Sequence, residues 1–556
     1  MNYHEAMSYL SSAREFGVKL DLSRITELLN LLGNPQLSYK VIHIAGTNGK
    51  GSVSSYLAHI SAAGGYKTGW YTSPYLENFN ERLRIIDGRK GLANFKLNPR
   101  APEISNKEFA DIMTFIASKV DNMLSRHFDC PTEFELITAA ALMWFAIQKC
   151  DMVILEVGLG GRLDSTNVVP NPICTVITSL GYDHCERLGY SLESIAFEKA
   201  GIIKPGVPCV VSNPFDSYLV QPDEAAKALA KIQSIAAAKH APIDLVMNKE
   251  IQVLSYDQYG QSFHFRDPKL TYRISLLGDY QRMNAALAIQ AAKMFTFDNV
   301  ILEGLKMATW PGRLELLDGN PETLIDGAHN IQGCMSLAQC LEQFYCNRGL
   351  VFLVGVLKDK THLAMMRAIL QSHSYHPLAV ICTKPPIPRG MMGKELSLEV
   401  ASILGQIGRD QFGIKVDMAA DINPNRKGIT PSGRPQALIQ SIEDISLAAD
   451  KAIKLARHFK APLIAFGSLY LIGNIRETLV AGSTGQTQVI GKSQSRDESI
   501  PLDFKPEEIE SKESIDPNVQ VPPPKFRFDQ GHTIEGAVNL AKLKPQDLPG
   551  NSSKED

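Results

Sequence analysis

VIHIAGTNGKGSVSSYL, residues 41–57, decides how the chain is read. An apolar run of strand character enters a glycine-rich turn and leaves as a helix-like stretch. Phosphate binding needs backbone N–H groups aimed at the ligand, and Gly46, Gly49 and Gly51 allow an approach that side chains would block. Thr47, Asn48 and Ser52 complete the loop, and Lys50 supplies a cation. The fit to G-x-x-x-x-G-K-[ST] is partial: the first glycine would fall at Ile44, and Gly51 separates Lys50 from Ser52. A glycine turn that binds nothing is the alternative. The strand before the turn and the helix after it favour a phosphate loop.

Outward from this loop, short apolar runs alternate with helix-like stretches up to about residue 310: TEFELITAAALMWFAIQK, then DMVILEVG, then ICTVITSLG. Near-continuous Val, Ile and Leu strands separated by helices predict a mostly parallel sheet covered on both faces. After Trp310-Pro311-Gly312 a second alternation begins, with TLIDGAHN, LVFLVGVLKDK, LAVICTK and APLIAFGSLY as strands. The expected fold is therefore α/β. A phosphate-loop ATPase domain spans 1–309, a smaller Rossmann-like α/β domain spans 310–482, and a polar tail, 483–556, is expected to be disordered. Residues 85–105 and 422–437, rich in Gly, Asn, Arg, Lys and Pro, read as surface loops.

Composition narrows the function. With 556 residues the chain is long enough for two or three domains, and a formal net charge of −2 gives no footprint for nucleic acid. Apolar runs such as 350–357 are too short to span a bilayer, and the first residues lack a basic segment followed by an apolar one. A cytoplasmic protein is expected. The nine cysteines form no C-x-x-C pair and no zinc-like spacing with histidine, which fits reduced, mostly buried thiols.

The compact form GTNGKGS resembles that of the Mur ligase superfamily, and the blocks that follow resemble its folylpolyglutamate synthase and dihydrofolate synthase branch. TSPYLENFNERLRI (72–85), LEVGLGGRLDSTNV (155–168), ITSLGYDHCERLG (177–189), IAFEKAGIIKPG (195–206), WPGRLE (310–315), DGAHN (326–330), GVLKDK (355–360) and GSLYLIG (467–473) look like that family's blocks in its order. Departures are Tyr280 where the family usually has His, Ile331 where it usually has Pro, a longer stretch after Arg84, and the tail.

The resemblance implies an ATP-dependent ligase. A carboxylate becomes an acyl phosphate before an amine displaces phosphate, with Lys50, backbone amides and magnesium neutralising charge. Glu156 ends the run MVILE, so it should stand at the C-terminal edge of a parallel strand, where open α/β sheets bind ligands, and it is the expected magnesium ligand. By resemblance Ser73 and His184 also contact magnesium; read alone, they are a turn residue and a loop histidine. Asn284, Arg313, Asp326 and His329 are carried over as nucleotide contacts. Asp326 and His329 belong to the second domain, so ATP would be held between the two. For Arg313 a linker salt bridge is the alternative.

Lys199 is expected, by resemblance, to be carbamylated and catalytic with Lys50 and His184. Read alone, it is a surface lysine pairing Glu198 or capping a helix. The implied substrates are L-glutamate with dihydropteroate or tetrahydrofolate, in a bifunctional enzyme that acts as a monomer. A monofunctional folylpolyglutamate synthase and an inactive nucleotide-binding regulatory module are the competing readings.

Overall fold

A computed structural model describes residues 1–13, 21–217, 219–317, 319–410 and 437–484, all within one compact unit, 1–504. Most of the loop expected at 422–437, and the expected tail from 485 onward, lie outside the described residues.

The first seven strands are β1 (Lys40–Ala45), β2 (Lys67–Tyr71), β3 (Leu83–Asp87), β4 (Met152–Glu156), β5 (Cys174–Ile177), β6 (Cys209–Ser212) and β7 (Ile243–Val246). They form one sheet in the order β3-β2-β4-β1-β5-β6-β7, parallel throughout except for β3, which pairs antiparallel to β2 at the edge. The apolar runs are near-continuous because both faces are buried. Ile42, Ile44 and Ile154 join one core with Val53, Leu57 and Leu287, whereas Val41, Val153 and Leu155 join another with Leu142 and Phe145. The helix Lys50–Ala63 covers the first face and Glu133–Ile147 the second. The second helix starts at a capping box, Thr132 with Glu135, and Glu135 also accepts from Arg24 at 3.0 Å. A buried carboxylate thus both caps a helix and is charge-paired.

Strands β8 (Ile251–Asp257), β9 (Gly260–Phe265) and β10 (Asp267–Ile274) form a separate antiparallel sheet, which the sequence reading did not anticipate. Phe263, Phe265, Tyr272 and Ile274 point from it into the first core. The third sheet contains β11 (Glu315–Leu317), β12 (Thr323–Ile325), β13 (Gly349–Val354), β14 (His376–Cys382), β15 (Leu438–Ser441) and β16 (Leu463–Phe466), in the order β11-β12-β16-β13-β14-β15. Only β11 runs antiparallel to its neighbour. Its strands also bury both faces, with Phe352 in one core and Val351 and Leu353 in another.

The stretch 85–105 is not the surface loop that its composition suggested. It completes β3 and then forms a helix, Gly88–Leu97, whose Leu92 and Phe95 are buried in the first core. Those two anchors stand three residues apart, as one helix face requires, but Gly91 and Asn94 between and beside them are weak helix formers and hide the period. Replacing Leu92 by Ala should therefore lower unfolding stability by about 2 to 3 kcal/mol in a urea titration, as for a core leucine. A change below about 0.5 kcal/mol would fit a solvent-exposed loop.

Candidate active site

The loop between β1 and the helix Lys50–Ala63 is shaped by glycine. Gly46 has φ +150°, and a Cβ there would lie 1.7 Å from Thr178 Oγ1. Thr178 Oγ1 donates to the Asn48 carbonyl at 2.7 Å, so the neighbouring strand end holds the loop. Gly49 has φ +90° and initiates the helix, where a Cβ would meet the Asn284 side chain. A cradle that side chains would fill is what a phosphate chain requires.

Two lysines converge here. Lys50 Nζ donates to the carbonyls of Gly46 at 3.0 Å and Thr47 at 3.2 Å, and Lys199 Nζ donates to the same Gly46 carbonyl at 2.8 Å. Burial lowers the pKa of both; Lys50 adds to the effect on Lys199, whose amine is brought down to about 7. Lys199 lies in the last turn of the helix Leu192–Ala200 and is only 3% exposed. Glu198 pairs with Arg162 at 2.9 Å, so Lys199 is not the surface lysine that its charged neighbours allowed.

Glu156 closes β4 beside this pair. Burial raises its carboxyl to about 7 despite the opposing pull of Lys50, and Oε2 accepts from the Ser73 amide at 3.2 Å. Arg82 in turn donates to Ser73 Oγ at 2.9 Å. His184 sits at φ +53°, and burial lowers its pKa, leaving a neutral imidazole able to ligate.

The second half of the site comes from the third sheet. Asp326 follows β12 and accepts from the amides of Leu314 and Ala328, both at 2.8 Å. It thereby holds the two turns that carry Arg313 and His329, and burial raises its pKa. The Arg313 guanidinium lies over Gly327, where a Cβ would come within 2.3 Å of Nη1. His329 Nδ1 meets the Gly327 carbonyl at 2.9 Å, and burial lowers this imidazole to about 4. Asn284 lies within the helix Tyr280–Ala292 and donates to Gln281, which donates to Ser52 Oγ. The halves meet at Asn48, which donates to Gln332 at 2.6 Å and accepts from Asn330 at 3.2 Å.

All the expected residues, Gly46 through Ser52, Ser73, Glu156, His184, Lys199, Asn284, Arg313, Asp326 and His329, line one cleft of about 560 Å³. The sequence reading assigned no role to Asp183 or Lys360. Burial opposes ionisation of Asp183, but Lys360 at 2.8 Å overrides it and holds the carboxyl below its ordinary range. His329 Nε2 also approaches Asp183, at 3.9 Å. Both residues lie in blocks already singled out, DHCERLG and GVLKDK, yet 177 positions apart only the fold pairs them. No cluster of three or more His, Cys, Asp or Glu able to hold a metal occurs among the described residues. Magnesium takes few protein ligands and completes its shell with water and phosphate oxygens.

The Mur ligase middle domain matches residues 105–292. The dihydrofolate synthase/folylpolyglutamate synthase of Bacillus subtilis is 36% identical over 71% of this chain and 88% of its own length. The chain belongs to the folylpolyglutamate synthase/dihydrofolate synthase family. Within that family of ATP-dependent ligases, the folylpolyglutamate synthase of Lacticaseibacillus casei is 31% identical over 87% of this chain and 100% of its own length. A Mycobacterium tuberculosis folylpolyglutamate synthase solved with ADP and AMPPCP superimposes with a TM-score of 0.68 at 27% identity, covering 86% of this chain and 99% of that one.

The cradle predicts a steric test. Gly46→Ala, which must displace buried Thr178, should lower the melting temperature and, measured on the folded protein, weaken binding of magnesium and a non-hydrolysable ATP analogue by at least about tenfold in a calorimetric titration.

Proposed function

We propose that the protein uses ATP to join L-glutamate to the carboxylate of dihydropteroate and to the γ-carboxylate of tetrahydrofolate. The observation that carries this reading is one cleft containing a glycine cradle, two buried lysines, a buried carboxylate at a strand end and the third-sheet residues Arg313, Asp326 and His329. Magnesium and ATP together supply the phosphoryl group and the charge neutralisation for acyl phosphate formation. Gly46 to Ser52 and Lys50 hold the phosphates; Glu156, Ser73 and His184 hold magnesium; Asn284, Arg313, Asp326 and His329 orient the nucleotide. The division of labour follows two domains, 1–309 and 310–482, in a monomeric, cytoplasmic protein. No helix among the described residues is long and apolar enough to cross a membrane. An inactive nucleotide-binding module would have no need to keep Lys50, Ser73, Glu156, His184 and Lys199 in one cleft. The Bacillus subtilis relative carries both synthase names, which supports the bifunctional reading over the monofunctional one.

Lys199 is the proposed carbamylation site. Its lowered pKa leaves much of the amine neutral at physiological pH, and the neutral nitrogen is the form that attacks CO2 and loses a proton to give an anionic carbamate. The anion relieves the crowding of two amines on one carbonyl. Protonation falls as pH rises through about 7, so a carbamate signal from 13C-bicarbonate should grow across that range and be absent in Lys199→Arg.

Supplying ATP, magnesium and glutamate with dihydropteroate or with tetrahydrofolate, and weighing the products, tests the function. A product heavier by one glutamyl unit is expected from each acceptor; glutamylation of neither would refute the reading, and of tetrahydrofolate alone would make the enzyme monofunctional. Glu156→Gln, which keeps the packing and forfeits a charged ligand, should lower turnover by about 100-fold or more at ordinary magnesium. Lys199→Ala should be similarly impaired and partly restored by acetate or formate, while Lys199→Arg does no better than Ala. Full turnover of Lys199→Arg would exclude the carbamate.

A further inference from the structure

The segment between β2 and β3 is a closed loop. The Thr72 amide donates to the Arg82 carbonyl at 3.1 Å, joining its ends, and Ser73 stands at its entrance. Glu81 fills the centre, accepting from the amides of Leu76 at 2.8 Å, Glu77 at 2.8 Å and Asn78 at 3.0 Å. Although the loop belongs to the first sheet, its tip is seated on the other half. Leu76 packs on the core formed by Leu471, Ile472 and Ile475, and a Cβ at Gly473 would lie 1.6 Å from the Leu76 carbonyl oxygen. Gly473 is thus the contact that lets the helix Leu469–Thr484 reach the loop backbone.

Arg476 on the same helix joins three parts of the chain. Nη1 donates to Glu77 Oε1 at 2.8 Å, and Nε and Nη2 form a fork on Glu315, with Nε to Oε2 at 2.9 Å. Glu77 is held from the other side by Arg100, at 3.1 Å. Glu315 Oε2 accepts the Gly312 amide at 2.9 Å, and so grips the turn that carries Arg313. The side chains of Arg476, Glu77 and Glu315 are 18%, 14% and 18% exposed, so the ion pairs are largely shielded from water. A planar guanidinium can engage two carboxylates at fixed angles, whereas an ammonium cannot reproduce the fork. A pocket of about 70 Å³ lined by Arg476, Glu77 and Arg100 shares Pro74, Arg313 and Leu469 with the large cleft, so the cluster adjoins the site without belonging to its cradle.

We propose that Arg476 is a positioning residue that ties the Ser73 loop, through Glu77, to the Arg313 turn, through Glu315, so that the magnesium-side and nucleotide-side contacts are held in register across the two halves. The roles of Ser73 and Arg313 rest on the function proposed above; the mechanical tie does not. Weakening the Glu77 arm by removing its charge loosens the loop tip and leaves the Arg313 turn gripped. Removing the guanidinium loosens both, although Glu315 and Asp326 still accept from the amides of Gly312 and Leu314.

Amide hydrogen exchange of the ligand-free protein separates these cases. Arg476→Met should raise exchange at least about tenfold both at 76–78 and at 312–314, whereas Glu77→Gln should raise it at 76–78 alone. In calorimetric titrations with magnesium and a non-hydrolysable ATP analogue, both variants should need at least about fivefold more magnesium for half-saturation, and Arg476→Lys should fall between them and wild type. A lowered melting temperature with unchanged exchange in both segments and unchanged magnesium dependence would reduce Arg476 to a structural clamp and overturn the proposal. So would an Arg476→Lys variant indistinguishable from wild type. If Arg476→Met does not fold, Glu77→Gln, which keeps the Arg476–Glu315 fork, decides the matter on the same two readouts. Failure of the wild type to ligate glutamate would overturn the proposed function instead, and the tie is then judged on exchange alone.

Discussion

Two amines share one carbonyl. Lys50 and Lys199 both donate to Gly46 O, and two adjacent ammonium ions are stable at such a point only if anions surround them. The protein supplies few. Glu156 is buried enough for its own ionisation to be opposed, and Asp183 is engaged by Lys360. A nucleotide triphosphate, and the carbamate proposed on Lys199, would bring negative charge to this point.

The halves of the molecule divide this work unequally. The first sheet contributes the cradle, both lysines and the Glu156 carboxylate, each at a strand end or in the turn or helix that follows. The third sheet contributes residues held by Asp326, whose two oxygens fix the turns bearing Arg313 and His329. Contact between the halves includes Asn48 with Asn330 and Gln332 and Asp183 with Lys360 at one seam, and Leu76 and Glu77 against the helix bearing Arg476 at another. Both seams consist of oriented hydrogen bonds and ion pairs in addition to apolar packing, so a change in the relative placement of the halves would be felt at the phosphate loop and at Ser73 together.

The parallel sheets were legible because strands buried on both faces leave near-continuous Val, Ile and Leu, as in β1, β4 and β13. The helix Gly88–Leu97 was not, since its two anchors are flanked by residues of poor helix propensity and its burial depends on a core made elsewhere. The antiparallel sheet β8–β10 was also missed, because β8 buries no residue fully and the anchors Phe263, Phe265, Tyr272 and Ile274 stand among polar neighbours. Within the site, the phosphate loop and the strand-end carboxylate followed from local pattern, and the remaining positions followed from ordered family blocks. Asp183–Lys360 and Arg476–Glu77–Glu315 could not be read in this way. Each links charges far apart in the chain, and an isolated lysine or arginine in a helix or loop carries no mark of its partner.

In the proposed function the cradle between β1 and the helix Lys50–Ala63 holds phosphate between the two halves. A crystal structure with magnesium and a non-hydrolysable ATP analogue tests it most directly. Phosphate oxygens are expected against the amides of the Gly46–Ser52 loop, with Lys50 Nζ withdrawn from the Gly46 carbonyl onto the nucleotide and magnesium beside Glu156. Well-ordered nucleotide lying elsewhere, with both lysines still on Gly46, would contradict it.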